Sequence, residues 1–214
     1  MQPGRSFSGF FMGVGRIERL LRCGIKTRTR LFTLLISSAF KEFGAGSRID
    51  PPFRFYGLNW ISLGENVMVN GGCWMQVVPG HADDKTAKLI IKSHAGIGMG
   101  AHISAARQVV IEEFVLLGRN VHISDHAHAY ENISAPISQQ GINRIAPVTI
   151  ERETWLGENV LVLPGVTIGK HCVIGANSVV NRSIPDFSVA VGSPARVVKR
   201  YNREAGAWER VKQE

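Results

Sequence analysis

Cysteine is scarce in this chain: Cys23, Cys73 and Cys172 are odd in number, far apart, and include no CxxC pair. That excludes a disulfide scaffold and a structural zinc knuckle, and it fits a reducing compartment. Aromatic residues are also few, at 8%, which disfavours a thick core built on large rings. Long apolar runs are missing. The longest stretch, residues 31–40, falls far short of the ~20 residues needed to cross a bilayer, and no secretory leader is recognisable. A cytoplasmic protein is expected.

Acidic residues are in the minority, 17 against 25 Lys and Arg, for a formal charge of +8. The excess sits at the two ends. Arg5, Arg16, Arg19, Arg22, Lys26, Arg28 and Arg30 open the chain, and Arg196, Lys199, Arg200, Arg203 and Arg210 close it. Such faces suit nucleic acid, a membrane surface or a polyphosphorylated cofactor. Charge alone does not choose among them. DNA has only the charge in its favour, without a reading helix or interleaved aromatics. Peripheral membrane contact through the basic N-terminal segment stays open.

What is abundant is glycine, 23 residues, within a chain that is 44% hydrophobic. The glycines mark a period of six. Aliphatic residues fall at Ile150, Leu156, Val162, Ile168, Ile174 and Val180 without a slip, often followed by Gly, as in Leu156-Gly157, Ile168-Gly169 and Ile174-Gly175. An earlier tract runs Ile91, Ile97, Ile103, slips by two residues, and continues Ile111, Leu117, Ile123. Helical spacing is contradicted by the Gly and β-branched density. Repeats this short belong to parallel β-helices, in which each unit is one flat side of a three-sided coil. Coils stack at the ~4.8 Å strand spacing, with the aliphatic residue pointing inward.

The expected fold is therefore mainly β, a parallel β-helix over residues 57–190. Polar excursions interrupt it at 79–88 (PGHADDKTAK) and 127–147. Residues 1–56 form a basic, partly helical segment, with one or two amphipathic helices within 16–43. Residues 191–214 are expected to cap the last coil as a short helix, because the open end of a solenoid must be covered.

Loops leaving a rigid scaffold are where chemistry tends to sit. At the root of the second excursion, His122-Ile-Ser-Asp-His-Ala-His-Ala-Tyr130 holds three His and one Asp within seven residues. Neutral imidazole accepts a proton near physiological pH, as attack by a hydroxyl on a thioester requires. A carboxylate on the second ring nitrogen would orient it, and Asp125 or a backbone carbonyl could serve. Cys172 falls on an inward repeat position and reads as core.

Residues 154–201 (TWLGENVLVLPGVTIGKHCVIGANSVVNRSIPDFSVAVGSPARVVKRY) resemble the C-terminal half of the hexapeptide acyltransferases. The Ile-Ser-Asp-His-x-His motif and the closing Lys-Arg-Tyr-Asn…Trp-Glu-Arg are more similar to the branch that O-acetylates lipopolysaccharide and exopolysaccharide. The resemblance implies a left-handed β-helix, a homotrimer with the donor groove between subunits, and acetyl-CoA as donor to a carbohydrate. It places the catalytic base on His126, with His128 as rival. Trp155 would line the groove for the pantetheine arm. Backbone groups around Gly157, Ala176 and Ser178 would meet its amides, and Arg196 and Lys199 would reach the CoA phosphates. No metal is expected.

Three rivals differ in kind. A nucleotide-amino-sugar N-acetyltransferase would share the fold and the donor. A γ-type carbonic anhydrase would hold zinc with three His drawn from His94, His102, His122, His126 and His128, but it lacks the Trp155 turn and the Ser-Pro-Ala-Arg tail. A non-catalytic scaffold would use only the basic face.

Overall fold

The structure, a computed structural model, describes residues 15–78 and 88–211. The excursion expected at 79–88 lies, apart from Lys88, outside them. The chain winds into the expected left-handed parallel β-helix. Its three faces are a six-stranded, a nine-stranded and a second six-stranded sheet, here faces 1, 2 and 3 in the order each coil visits them. Pairing is parallel and in register with the sequence period: Leu117 pairs with Leu156 and Leu156 with Ile174 on face 2, and Ile123 with Val162 on face 3. The aliphatic positions form the core, with Ile97, Ile111, Ile123, Ile150, Leu156 and Ile174 at zero exposure. Cys172 is also buried, as its repeat position implied.

Corners follow the same order. The turn from face 2 to face 3 carries Asn120, Asn159 and Asn177, all at positive φ. Their amides link in a ladder, Asn120 to Asn159 at 3.2 Å and Asn159 to Asn177 at 3.0 Å. Asn tolerates the left-handed region and finds its partner on the next coil.

The stack begins at Glu42 rather than at residue 57, because Glu42–Phe43 already pairs with Ile61–Leu63. Among the described residues before it there is one helix, α1 (Arg16–Ser37). It closes the open start of the solenoid. The Thr33 hydroxyl accepts the Ile49 N–H at 3.0 Å and donates to the Ile49 carbonyl, while Thr29 donates to Asp50 at 2.8 Å. Ile36 of the helix and Phe40 just after it are buried.

The tail differs from expectation. It is not a helix but two antiparallel strands, Arg196–Asn202 and Ala207–Arg210, added to face 2 beyond Ser188–Val191. An edge strand offers unpaired N–H and C=O groups, and a strand satisfies them directly where a helix would not. The hairpin turns where Asn202 accepts the N–H groups of Glu204 and Ala205, and Gly206 takes positive φ.

Candidate active site

The site begins with the two-residue slip between Ile103 and Ile111. It lengthens the corner from face 3 to face 1 and leaves the N–H groups of Ala106, Arg107 and Gln108 without a regular ladder partner. All three donate to one carboxylate, that of Asp125 on the next coil, at 2.8, 2.7 and 2.7 Å. Asp125 has zero exposure. Burial pulls its carboxyl towards the neutral form. The bonds from the His126 ring and the three backbone N–H groups outweigh that and hold its pKa below the ordinary value. A buried carboxylate is tolerable only when donors replace its water.

His126 follows at the same corner, with Nδ1 2.8 Å from Asp125 Oδ1 and its side chain 12% exposed. The chain then leaves the coil. Ala127–His128 pairs with Ile142–Asn143 in a short antiparallel ribbon. Ala146 returns to the corner by donating to the Asp125 carbonyl at 2.9 Å. With Nδ1 engaged by a fixed carboxylate, Nε2 of His126 is the ring atom left to accept a proton. That arrangement can act as a general base. His128, two residues on in the ribbon, is exposed.

A row of side chains unnoticed as a unit in the sequence runs up the outside of face 3 toward His126. Arg54, Trp74, His102 and His122 occupy successive register positions. The Arg54 guanidinium lies 4.5 Å over the Trp74 ring, Trp74 stacks on His102 at 4.3 Å, and His102 meets His122 edge-on at 4.6 Å. Beside it, Gln76 donates to Ser104 at 2.9 Å, and Ser124 donates to the His126 carbonyl at 2.8 Å. The available signal was His recurring 20 residues apart, one lengthened coil. His94 is elsewhere, stacked on Phe114 at the corner between faces 1 and 2. Among the described residues no three His, Cys, Asp or Glu groups gather so as to hold a metal ion.

Burial, then the neighbouring His122, His126 and Arg54, push His102 down to about 4, and burial and His126 lower His122. Both lie below the ordinary imidazole value of about 6.5, so on acidification the unfolded chain takes up protons before the folded one. The stabilising contribution is complete above pH ~6.5 and is lost as pH falls towards the folded value. The melting temperature should therefore drop as pH falls from about 6.5 towards 4, and His102→Asn should flatten that slope. Parallel slopes for variant and wild type would contradict the assignment.

The remaining expected residues lie apart from His126. Trp155 projects from face 2, 50% exposed. It lines a groove with Val173, Val189, Lys199 and Trp208. Gly157 and Ala176 touch at the corner of faces 2 and 3, where a Cβ on Gly157 would come within 2.7 Å of the Ala176 nitrogen. Ser178 is fully buried; its hydroxyl donates to Gly175, accepts from Gly192, and its carbonyl accepts from Leu161. Arg196 is exposed beside that corner, its guanidinium 2.8 Å from the Ala195 carbonyl. In a three-sided prism, the corner of faces 3 and 1 is opposite face 2. The core of one chain thus separates His126 from Trp155.

Residues 147–182 match the bacterial transferase hexapeptide (six repeats) family. A candidate lipopolysaccharide biosynthesis O-acetyl transferase of Escherichia coli K12, WbbJ, is 42% identical over 116 residues, 51% of this chain and 59% of WbbJ. The chain thus spans little more than half of that relative. A galactoside O-acetyltransferase of Lactococcus lactis is 32% identical over 170 residues, 78% of this chain and 67% of the relative. The crystal structure of AntD, an N-acyltransferase from Bacillus cereus in complex with dTDP and 3-hydroxybutyryl-CoA, superposes with a TM-score of 0.66 at 20% identity, covering 80% of this chain and 88% of AntD. The chain belongs to the hexapeptide-repeat acyltransferase family.

Proposed function

We propose that this protein transfers an acetyl group from acetyl-CoA to a carbohydrate hydroxyl in cell-surface polysaccharide or lipopolysaccharide biosynthesis, with His126 as general base. The observation that carries the proposal is the buried Asp125 carboxylate, gripped by three backbone N–H groups and fixing Nδ1 of His126. Support for an oxygen acceptor comes from the galactoside O-acetyltransferase and WbbJ relatives.

In the proposed reaction the acceptor oxygen attacks the acetyl carbonyl as Nε2 of His126 takes its proton. Asp125 balances the charge the ring acquires, and a backbone N–H at a coil corner meets the oxyanion. The tetrahedral intermediate collapses with cleavage of the C–S bond, and the imidazolium returns the proton to the departing CoA sulfur. Transfer is direct, and no cysteine takes part. The apolar groove beside Trp155 suits the pantetheine arm, running past Gly157 and Ala176. Ser178 serves that corner by holding its shape. Arg196 and Lys199 are cations suited to the CoA phosphates.

Because His126 and Trp155 lie on opposite sides of one chain, the proposal includes a homotrimer, with base and donor groove drawn from neighbouring copies. Mixed assemblies test this. His126→Ala and Trp155→Ala are each expected to be inactive. Combined one to one in a cyclic assembly, they should recover about one quarter of wild-type sites. No recovery would place the whole site within one chain.

The function itself is tested by incubating the protein with acetyl-CoA and a panel of sugars, polysaccharides and nucleotide-linked amino sugars. Ester formation on a hydroxyl supports the proposal. Amide formation on an amino sugar would establish the N-acetyltransferase reading instead, and the fold shared with AntD makes that the second reading. Absence of acetyl-CoA binding would leave a scaffold.

A further inference from the structure

Helix α1 does more than close the solenoid. Thr29, Thr33 and Ile36 face the first coil and are buried. On its other side Leu20, Leu21, Leu31, Leu34 and Leu35 are 72%, 62%, 63%, 73% and 78% exposed. At 3.6 residues per turn these five fall within an arc of about 140°. Gly24 lies in the same arc, with nothing within 4 Å of where its Cβ would be. The fold gives this stripe no partner within the described chain, and solvation of five leucines in one patch is unfavourable.

Charge identifies the partner. Arg19, Lys26 and Arg30 are exposed along one border of the arc. Arg28 falls inside it near the other border, between Leu35 and Leu21, and reaches the Pro51 carbonyl at 3.3 Å. The helix has one acidic residue, Glu18, and it is paired with Arg22 at 2.8 Å. Packing the arc against a second copy of itself would bring like charges together. An apolar stripe bordered by cations on a helix of low overall hydrophobicity suits an interface of acyl chains and anionic headgroups. The helix is not long and apolar enough to cross a membrane. It would lie along one.

We propose that α1 is a reversible anchor that lays Leu20, Leu21, Leu31, Leu34 and Leu35 into the surface of an anionic lipid bilayer. The inference is independent of the chemistry at His126. The test is co-sedimentation of the full chain with vesicles of phosphatidylcholine alone or mixed with phosphatidylglycerol. The chain should sediment with the anionic vesicles and far less with the neutral ones, and added salt should weaken the association. Leu20→Ser/Leu31→Ser/Leu34→Ser/Leu35→Ser should lower partitioning by at least about tenfold, with the melting temperature little changed because the positions are exposed. Arg19→Gln/Lys26→Gln/Arg30→Gln keeps the leucines. It should remove the preference for anionic vesicles, and it decides the matter should the serine variant not fold. Failure of wild type to sediment, equal sedimentation of wild type and both variants, or a serine variant that instead falls to a smaller assembly would overturn the proposal. The last result would assign the stripe to a second copy.

Discussion

His126→Ala is expected to lower acetyl transfer by about 10²–10⁴-fold, the usual worth of a positioned general base, while acetyl-CoA still binds. The separation follows from the placement of the groups: the groove proposed for the donor is on face 2, and His126 is at the opposite corner. His128→Ala should retain near wild-type turnover, since that side chain is exposed in the ribbon. Asp125→Asn should cost both activity and stability. An amide nitrogen turned towards Ala106, Arg107 or Gln108 opposes donor to donor, and an unsatisfied buried N–H costs about 1–3 kcal/mol. The pattern distinguishes the roles. His126→Ala should lose rate with little change in melting temperature, whereas Asp125→Asn loses both. Full turnover by His126→Ala together with an inactive His128→Ala would show that the base is the neighbouring imidazole.

Much of this arrangement was legible because a β-helix writes its geometry into a short period. Each of Ile150, Leu156 and Val162 predicts a face, and the observed pairing of Thr149–Ile150 with Thr167–Ile168 is the eighteen-residue coil. The start was harder to read. Phe43, Ile49 and Phe55 occupy the first coil's positions with two rings in place of aliphatics, so the period fades where the stack begins. The tail was misread because covering an open end suggests a helix, whereas Val197, Lys199 and Arg200 pair as strand against Ser188–Ala190 at the edge of face 2. At the site, the Asp-His pair was visible as a motif, but its grip was not. The two-residue slip after Ile103 looked like a defect in the repeat, and only coil stacking turns Ala106–Gln108 into three donors aimed at Asp125. His102 and His122 are likewise distant in sequence and adjacent only through register.

The glycine column makes an equally large prediction about the scaffold. Gly98→Ala should destabilise the fold by more than about 4 kcal/mol or prevent folding. The Gly98 backbone does not require positive φ; the constraint is space. A Cβ there would stand 2.2 Å from the Gly118 carbonyl oxygen, 2.4 Å from its carbon and 2.6 Å from the Leu117 oxygen. All three are backbone atoms of the next coil, so no side-chain rotation relieves the overlap. Relief means prising two coils apart against the hydrogen bonds that join them, Gly96 to Val115 at 2.9 Å and Asn120 to Met99 at 2.9 Å. Gly100→Ala meets a softer obstacle, the Asn120 side-chain oxygen at 2.4 Å, and should cost less despite its positive φ. Gly24→Ala, exposed in α1 with open space around it, should stabilise by up to about 1 kcal/mol, the helix propensity difference. Urea midpoints should therefore rank Gly98→Ala lowest, Gly100→Ala next and Gly24→Ala at or above wild type. A Gly98→Ala protein with a wild-type midpoint would mean that the coils do not stack this closely. The corner that presents Ala106, Arg107 and Gln108 to Asp125 would then lose its basis as well, because Gly98 belongs to the coil that carries it.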